Sequence, residues 1–480
     1  MDEIKKNMLK RYLKSSKIIA TIGPASDTPQ IIHELIANGV DCFRFNCSHG
    51  THEGIKDKIA KIREIEKTYD VNVGLLLDTK GPEVRTDTFK DGKVLYEKGS
   101  TIKIHLAKTV VGDKEQFSVN YSGLGNDITH RDTKILVDDG KFSLKIKKIE
   151  NDYIIAVAEN THALTDHKSV TAKNTSLSLN FFSEKDQADV KFACENDFNF
   201  VAISFVKTHR DVITIRNFLK ANNKPNIKII SKIETAEAVS NFELILKFSD
   251  MIMIARGDLG LEIPFYKLPD YQFKFINLAL KHQKSIIVAT HMLESMTNNL
   301  IPTRAEANDV YVAIMQCATA TMLSAETASG KYPVIAASAM NKIIFYTESK
   351  FFKFKQSQFY KWFLRLNNKD INSWLGLIEK YNDIGAIFLK TYTETDLKIL
   401  SSFKLHIPIF IFKNKDFNNL AYLSAGFVVV NEPSEKLETK DDINKFLVSY
   451  CMNHYYKNSI SNNVWVKKML FYDAGNVSLI

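Results

Sequence analysis

The stretch Lys228-Ile229-Ile230-Ser231-Lys232-Ile233-Glu234 decides how the chain is read. It is apolar and β-branched, and Pro225-Asn226 bounds it in front, so it reads as a β-strand. Its far end carries a lysine and a glutamate two residues apart. Side chains two apart on a strand share a face, so Lys232 and Glu234 point the same way. Burying two charges there is costly unless they are paired or hold a ligand. A second apolar strand, Met251-Ile252-Met253-Ile254-Ala255, runs into Arg256-Gly257-Asp258-Leu259-Gly260 and breaks from apolar to charged in the same way.

Outward from these two strands the same unit recurs. Residues 17–23 form an apolar run, and Asp27-Thr28-Pro29 then opens a helix that Gly39 stops. Strands follow at 42–48 and 73–79, with a helical stretch between them, giving a β-α-β-α-β rhythm of parallel strands. The rhythm breaks at Lys80-Gly81-Pro82. From 83 to 181 apolar and polar residues alternate, with turn signals at Asp91-Gly92, Gly112-Asp113 and Asp139-Gly140, which predicts an inserted antiparallel β domain. Ser183 caps the helix that resumes the first pattern. Five further strands are predicted at 200–205, 228–234, 251–256, 285–290 and 319–324. Three before the insert and five after make eight, an α/β (β/α)₈ TIM barrel over 1–82 and 182–349 with the β lid inserted at 83–181. A third, α/β domain is expected over 350–480, with strands at 385–390, 408–412, 426–430 and 464–472.

Composition agrees with several domains and a large core: 480 residues, 45% hydrophobic and 25% charged. No apolar run approaches a membrane span, and the start of the chain lacks the apolar segment of a secretory signal. Five cysteines without a CxxC pair argue against a disulfide framework and a zinc site, so a cytoplasmic location is expected. The net charge of +9 is spread along the chain rather than gathered into a nucleic-acid-binding stripe. The aromatic and basic stretch from Phe351 to Arg365 reads as an amphipathic helix joining two domains, in preference to an RNA-stacking surface.

In such a barrel the chemistry lies at the carboxyl ends of the strands. Those ends carry Arg44, Asn46 and Ser48 on one face of the second strand, and Asp78-Thr79-Lys80 after the third. They also carry Lys232 and Glu234, Gly257-Asp258, Thr290-His291, and Ser324 with Glu326. Taken singly, each has a plainer explanation as a turn residue, an ion-pair partner or a cap; their gathering at one face points to function. Glu234 and Asp258 are oxygen ligands with no histidine or cysteine beside them, which suits Mg²⁺ or Mn²⁺. Arg44 and Lys232 add fixed positive charge, and the amides at Gly257-Asp258 make an anion cradle. Cations, a metal and an amide cradle describe phosphoryl transfer, in which positioning and charge neutralisation dominate.

These motifs resemble those of pyruvate kinases. The similarity rests on KIIATIGPAS (17–26), FRFNCSHGTHE (43–53), LLLDTKGPEVRT (75–86), IKIISKIET (227–235), SDMIMIARGDLGLEIP (249–264), VATHMLESM (288–296), PTRAEANDV (302–310) and MLSAETASGKYP (322–333). The resemblance implies transfer of a phosphoryl group from phosphoenolpyruvate to ADP, the final step of glycolysis, in a homotetramer. It implies Mg²⁺ on Glu234 and Asp258, with Lys232 beside the moving phosphoryl group and Arg44 gripping the phosphate. Thr290 and the Gly257 and Asp258 amides would hold the substrate carboxylate. K⁺ would lie on Asn46, Ser48, Asp78 and Thr79; Glu83, where K⁺-independent relatives tend to carry lysine, implies K⁺ dependence. Pro24, His49, Arg85 and Lys168 would meet the nucleotide.

The chain departs from the family pattern at Lys168-Ser169-Val170-Thr171 and Lys173-Asn174, near the lid hinge, and at His291 and Tyr311. Thr391-Tyr392-Thr393-Glu394-Thr395-Asp396 stands where the family has a phosphate-holding effector loop. Two acids there repel phosphate, which predicts no activation by fructose 1,6-bisphosphate at that loop. Two other readings stay open on the sequence: a catalytically weakened relative acting as a binding or scaffold protein, and a Mg²⁺-dependent barrel enzyme of the aldolase kind.

Overall fold

A computed structural model describes residues 13–48, 50–130, 133–355, 374, 376–377, 385–405, 407–415, 417–435, 437, 439–455, 469–473 and 476–479. His49 and the greater part of 356–384 lie outside the described residues. So does most of the aromatic stretch from Phe351, whose first residues end the helix Pro333–Lys355.

Eight parallel strands close into a barrel: β1 (Lys17–Thr21), β2 (Cys42–Asn46), β3 (Gly74–Asp78), β4 (Phe200–Ile203), β5 (Lys228–Ile233), β6 (Met251–Ala255), β7 (Ser285–Ala289) and β8 (Ala320–Leu323). The two-residue period of each strand sorts its side chains into two cores. Ile18, Phe43, Leu75, Val201, Ile229 and Ile252 pack outward against the helical ring. Ile19, Cys42, Leu76, Ala202, Ile230 and Met253 form the other core, the barrel interior. One period further along each strand, the interior set continues as Thr21, Arg44, Asp78, Ser204, Lys232 and Ala255. The apolar filling therefore gives way to polar groups at the carboxyl end, by register alone.

The expected caps are in place. Thr28 accepts the Ile31 N–H at 3.3 Å to open helix Pro29–Ala37, and Ser183 accepts the Asp186 N–H at 3.1 Å to open Glu184–Glu195.

Residues 83–181 form a two-stranded and a six-stranded sheet. The strand pairing is antiparallel except that Thr101–His105 runs parallel to Gln116–Ser118, with a single parallel bridge between Phe89 and Gly112 beside it. The segment between them folds back across the sheet instead of forming a hairpin. The turns at Asp91-Gly92 (φ of 56 and 69°) and at Asp138, Asp139 and Gly140 (53, 54 and 80°, between paired strands Lys134–Val137 and Phe142–Ile149) are as expected, whereas Gly112 bridges to Phe89 and the turn there begins at Asp113. The two connecting segments pair with each other: Thr86 N–H donates to Lys168 O and Val170 N–H to Val84 O.

The C-terminal part carries a five-stranded sheet in the order Phe427–Asn431, Ile409–Lys413, Ala386–Leu389, Met469–Asp473, Asn476–Leu479. The last strand is antiparallel and was not expected. This part shares a continuous core with the barrel interior. It is also tied to β5 by charge: Lys228, at the opposite end of the strand from Lys232, reaches Glu394 at 2.6 Å.

Candidate active site

Lys232 lies at the centre of the polar layer, its side chain 11% exposed. Its ammonium is 3.2 Å from Asp78 Oδ1 and 2.9 Å from Glu234 Oε1, and it donates to Ser204 Oγ at 2.7 Å. Asp78, wholly buried, also accepts from Arg44 Nε at 2.6 Å, and Arg44 donates onward to Thr21 Oγ1 at 3.0 Å. One carboxylate thus holds both cations. Burial works against the charge on Asp78, but Lys232 and Arg44 outweigh it and hold the carboxyl below the ordinary aspartate range. Burial likewise opposes charge on Lys232, and Asp78 first, then Glu234, keep its pKa above the ordinary lysine value.

Glu234 is treated differently. Its Oε2 accepts the Phe205 N–H at 2.6 Å. That amide is aimed by a backbone φ of 55° at Phe205, a conformation costly for a bulky residue. Oε1 is buried without a hydrogen bond; the ammonium at 2.9 Å is an ion-pair contact rather than an aligned donor. Burial pushes the Glu234 carboxyl up to about 7 against the pull of Lys232. Burial, joined by the negative charges of Glu83, Asp139 and Asp78, also raises Asp258 against Lys232. With all three carboxylates ionised, the two cations leave the layer one positive charge short, which is why burial raises Glu234 and Asp258 when no further cation is present. Among the described residues no three His, Cys, Asp or Glu side chains gather as a metal cage. A pair of carboxylates with an unsatisfied oxygen is the donor set of a divalent ion that keeps other oxygen ligands, so the residues fit Mg²⁺.

The monovalent set, Asn46, Ser48, Asp78 and Thr79, comes from the ends of β2 and β3, where Asn46 and Asp78 are register partners. All its donors are oxygens, which fits K⁺. Asn46 Oδ1 accepts the Ser48 N–H at 3.1 Å, Thr79 Oγ1 accepts the Ser204 N–H at 3.2 Å, and Ser204 Oγ donates to Thr79 O at 2.7 Å. Asp78 serves first as an ion-pair anchor, a role that spacing did not reveal.

Thr290 and Gly257 meet directly, the Gly257 N–H donating to Thr290 Oγ1 at 2.7 Å. Thr290 and His291 stand at φ of 67 and 52°, a strained pair with a β-branched member. Arg256 holds that turn: its guanidinium donates to Thr290 O at 2.9 Å and His291 O at 3.2 Å and pairs with Asp309 at 2.7 Å.

The insert lies against this layer. Gly140 sits so close to helix Arg256–Glu262 that an added Cβ would be 2.7 Å from Leu261 Cδ2. Of the expected nucleotide residues, Arg85 and Lys168 come together on the paired connecting segments, where Arg85 bridges to Ser169. Pro24 is exposed beyond β1. Arg85 donates to Glu83 and to His167 O, each at 2.8 Å. Lys168 pairs with Asp138 at 3.2 Å. Glu326, one of the strand-end acids, is structural: buried, it accepts the Ser324 and Leu293 N–H groups at 2.7 and 3.1 Å.

Sequence reasoning missed Ser204, Phe205, Thr21 and Arg256. Ser204 and Thr21 were legible as the next inward positions of β4 and β1, but a lone hydroxyl carries little signal. Nothing in the local sequence signals the left-handed backbone at Phe205 or Thr290.

Residues 13–337 match the family model for the pyruvate kinase barrel domain. The chain is 37% identical over 399 residues to a pyruvate kinase of Clostridium acetobutylicum, covering 83% of this chain and 84% of that one. It is 40% identical over 331 residues to a pyruvate kinase of Clostridium perfringens, covering 69% and 70%. A solved pyruvate kinase structure from Cryptosporidium parvum matches the fold with a TM-score of 0.84 at 27% identity, over 98% of this chain and 96% of that one.

Proposed function

Because the chain belongs to the pyruvate kinase family of phosphotransferases, we propose that it moves the phosphoryl group of phosphoenolpyruvate to ADP, giving pyruvate and ATP. The reading includes dependence on Mg²⁺ (or Mn²⁺) and K⁺ and a place as the final step of glycolysis in the cytoplasm. The observation that carries it is the buried, hydrogen-bond-free Glu234 Oε1 beside the Lys232 ammonium. That one ammonium faces Asp78, Glu234 and Asp258 together, so a further cation on the Glu234–Asp258 side would complete the charge balance, and the fixed ammonium suits charge that develops during phosphoryl transfer.

In this reading Arg44 and Lys232 bind the phosphate, their orientations set by Asp78. The P–O bond to the enol oxygen breaks as a bond forms to a terminal ADP oxygen, and Lys232 stabilises the enolate left behind, whose carbon then takes a proton. Thr290 and the Gly257 and Asp258 amides bind the carboxylate; the Gly257–Thr290 hydrogen bond would give way to it. Glu234 and Asp258 would hold Mg²⁺, which supplies charge neutralisation when bound. Asn46, Ser48, Asp78 and Thr79 would hold K⁺. Arg85 and Lys168 would exchange their present partners, Glu83 and Asp138, for nucleotide phosphates, with Pro24 and His49 at the nucleotide and the insert excluding water.

A homotetramer is part of the proposal. Support comes from large apolar side chains left on two neighbouring barrel units, Phe265 (79% exposed) and Tyr266 (68%) after β6 and Ile301 (68%) after β7. Effector control by fructose 1,6-bisphosphate at 391–396 is not expected. Glu394 is engaged with Lys228 and Lys398, and Asp396 caps its helix through Thr393.

Pyruvate formation from phosphoenolpyruvate and ADP, with each ion withdrawn in turn, tests the reading. Turnover requiring both ions is expected. Turnover surviving without K⁺ would overturn the monovalent site, and its survival without any divalent ion would overturn the assignment of Glu234 and Asp258.

A further inference from the structure

A cavity of about 280 Å³ opens where the insert joins the barrel. One wall is the pair of connecting segments, through Val84, Val170 and Leu177; the other is made by barrel loops, through Phe205, Thr235 and Glu262. Its size lies near the lower end of ligand pockets, ~300–1,000 Å³, and suits a molecule much smaller than a nucleotide. Asp258 touches its inner end, but Lys232, Arg44 and Thr290 are not among its lining residues, so the cavity lies behind the proposed metal pair.

The charges around it are unevenly matched. Glu83 is paired with Arg85 at 2.8 Å. Glu237 accepts from Ser176 Oγ at 2.8 Å, and Lys207 donates to Leu177 O and, at 3.4 Å, to Ser176 Oγ. These bonds pin the exit segment of the insert to the barrel. Besides Asp258, which belongs to the proposed metal pair, Glu262 remains: it receives the Ala236 N–H and, among the described residues, has no ion-pair partner; burial pushes its carboxyl up to about 7, against the weaker pull of the Lys207 and Lys173 charges. A largely buried carboxylate in a pocket with apolar walls is met best by a cationic head on an apolar body.

We propose that this hinge cavity is a second ligand site, taking a small organic cation whose ammonium pairs with Glu262 and whose apolar body fills the space between Val84, Val170 and Leu177. A molecule there touches both connecting segments and the barrel loops at once. Its occupancy therefore favours the arrangement in which the insert rests against helix Arg256–Glu262. The site adjoins the proposed metal pair through Asp258, so its test reads binding rather than turnover.

The test is calorimetric titration of the full-length protein with n-hexylammonium chloride in excess Mg²⁺, which on the proposed reading occupies the adjoining Glu234–Asp258 pair. Saturable one-to-one binding is expected, weakened about tenfold or more by Glu262→Gln, the weight of one charge-assisted contact. Thr175→Trp, which fills the cavity from its rim, should abolish binding, and hexan-1-ol should bind at least about tenfold more weakly than the amine. Both variants are checked for an unchanged melting transition, and proteolysis within 168–179 should slow in the amine's presence. No saturable binding to the native chain, or unchanged affinity in either folded variant, would overturn the site. Turnover failing while binding holds would count against the proposed reaction alone.

Discussion

Asp78 is the most demanding residue in the structure, because a single buried carboxylate holds Arg44 at 2.6 Å and Lys232 at 3.2 Å. Replacing it by asparagine keeps the volume, so no cavity contribution arises, but it takes the carboxylate partner from Arg44 and leaves Lys232 only Glu234, in a layer where both cations are about one-tenth exposed. Breaking a buried pair from one side costs ~3–5 kcal/mol, a large share of a typical ~5–15 kcal/mol of stability. At roughly 2–4 °C per kcal/mol for a domain of 150–250 residues, the melting temperature should fall by about 6–20 °C. The assay is thermal unfolding followed by circular dichroism, run in K⁺ and in tetramethylammonium, since the ion-pair role does not need the monovalent cation. The pH dependence has a definite sign. Because the folded-state pKa of Asp78 is depressed, its stabilisation is complete above the ordinary value of 3.8. It is lost as pH falls through the lower folded value, so native and variant curves should converge in strong acid. A variant that melts within about 2 °C of the native chain at neutral pH, under 1 kcal/mol, would refute the claim that Asp78 organises the two cations.

Lys232→Met removes the partner of two buried carboxylates, so its melting temperature should fall as for the Asp78 variant, yet the protein that remains folded should lose ~10²–10³-fold or more in turnover, the scale of one preorganised charge in a desolvated site; steady-state kinetics below the melting transition checks this. Gly140→Ala should slow turnover several-fold. The left-handed φ of 80° alone costs a side chain about 1–2 kcal/mol, and the new methyl would meet Leu261. The barrel transition should stay unchanged while closure, read by fluorescence transfer between insert and barrel, is weakened. Glu394→Gln removes a carboxyl held at about 2 against an ordinary 4.5, principally through Lys228 and Lys398 overcoming burial. Its stabilisation is present above about 4.5 and lost as pH falls towards 2, so urea midpoints of native and variant should differ at pH 7 and converge near pH 2.

The barrel was legible because its signal is a period. Lys232 and Glu234 share a face of β5, and the alternation that buries Ile230 below them raises Arg44, Asp78 and Ser204 to the same layer. What escaped the sequence is set by tertiary contacts. Arg256 lies beside the Gly257-Asp258 motif, yet its task is to hold the strained Thr290–His291 turn through carbonyl groups on the next strand. The acids at 394 and 396 read as phosphate-repelling; in the fold one ties the start of helix Glu394–Ser402 to Lys228 and the other caps that helix. The parallel pairing of Thr101–His105 with Gln116–Ser118 was missed because alternation fixes which face a strand buries, not the direction of its neighbour.

The central claim is that the layer around Lys232 transfers a phosphoryl group from phosphoenolpyruvate to a nucleoside diphosphate. Phosphorus NMR of the purified chain with phosphoenolpyruvate, ADP, Mg²⁺ and K⁺ tests it most directly. The account predicts that the phosphoenolpyruvate signal is replaced, one for one, by the γ-phosphate of ATP, and that Lys232→Met abolishes the exchange. Folded protein that leaves phosphoenolpyruvate untouched with every nucleoside diphosphate, or converts it to inorganic phosphate, would contradict it.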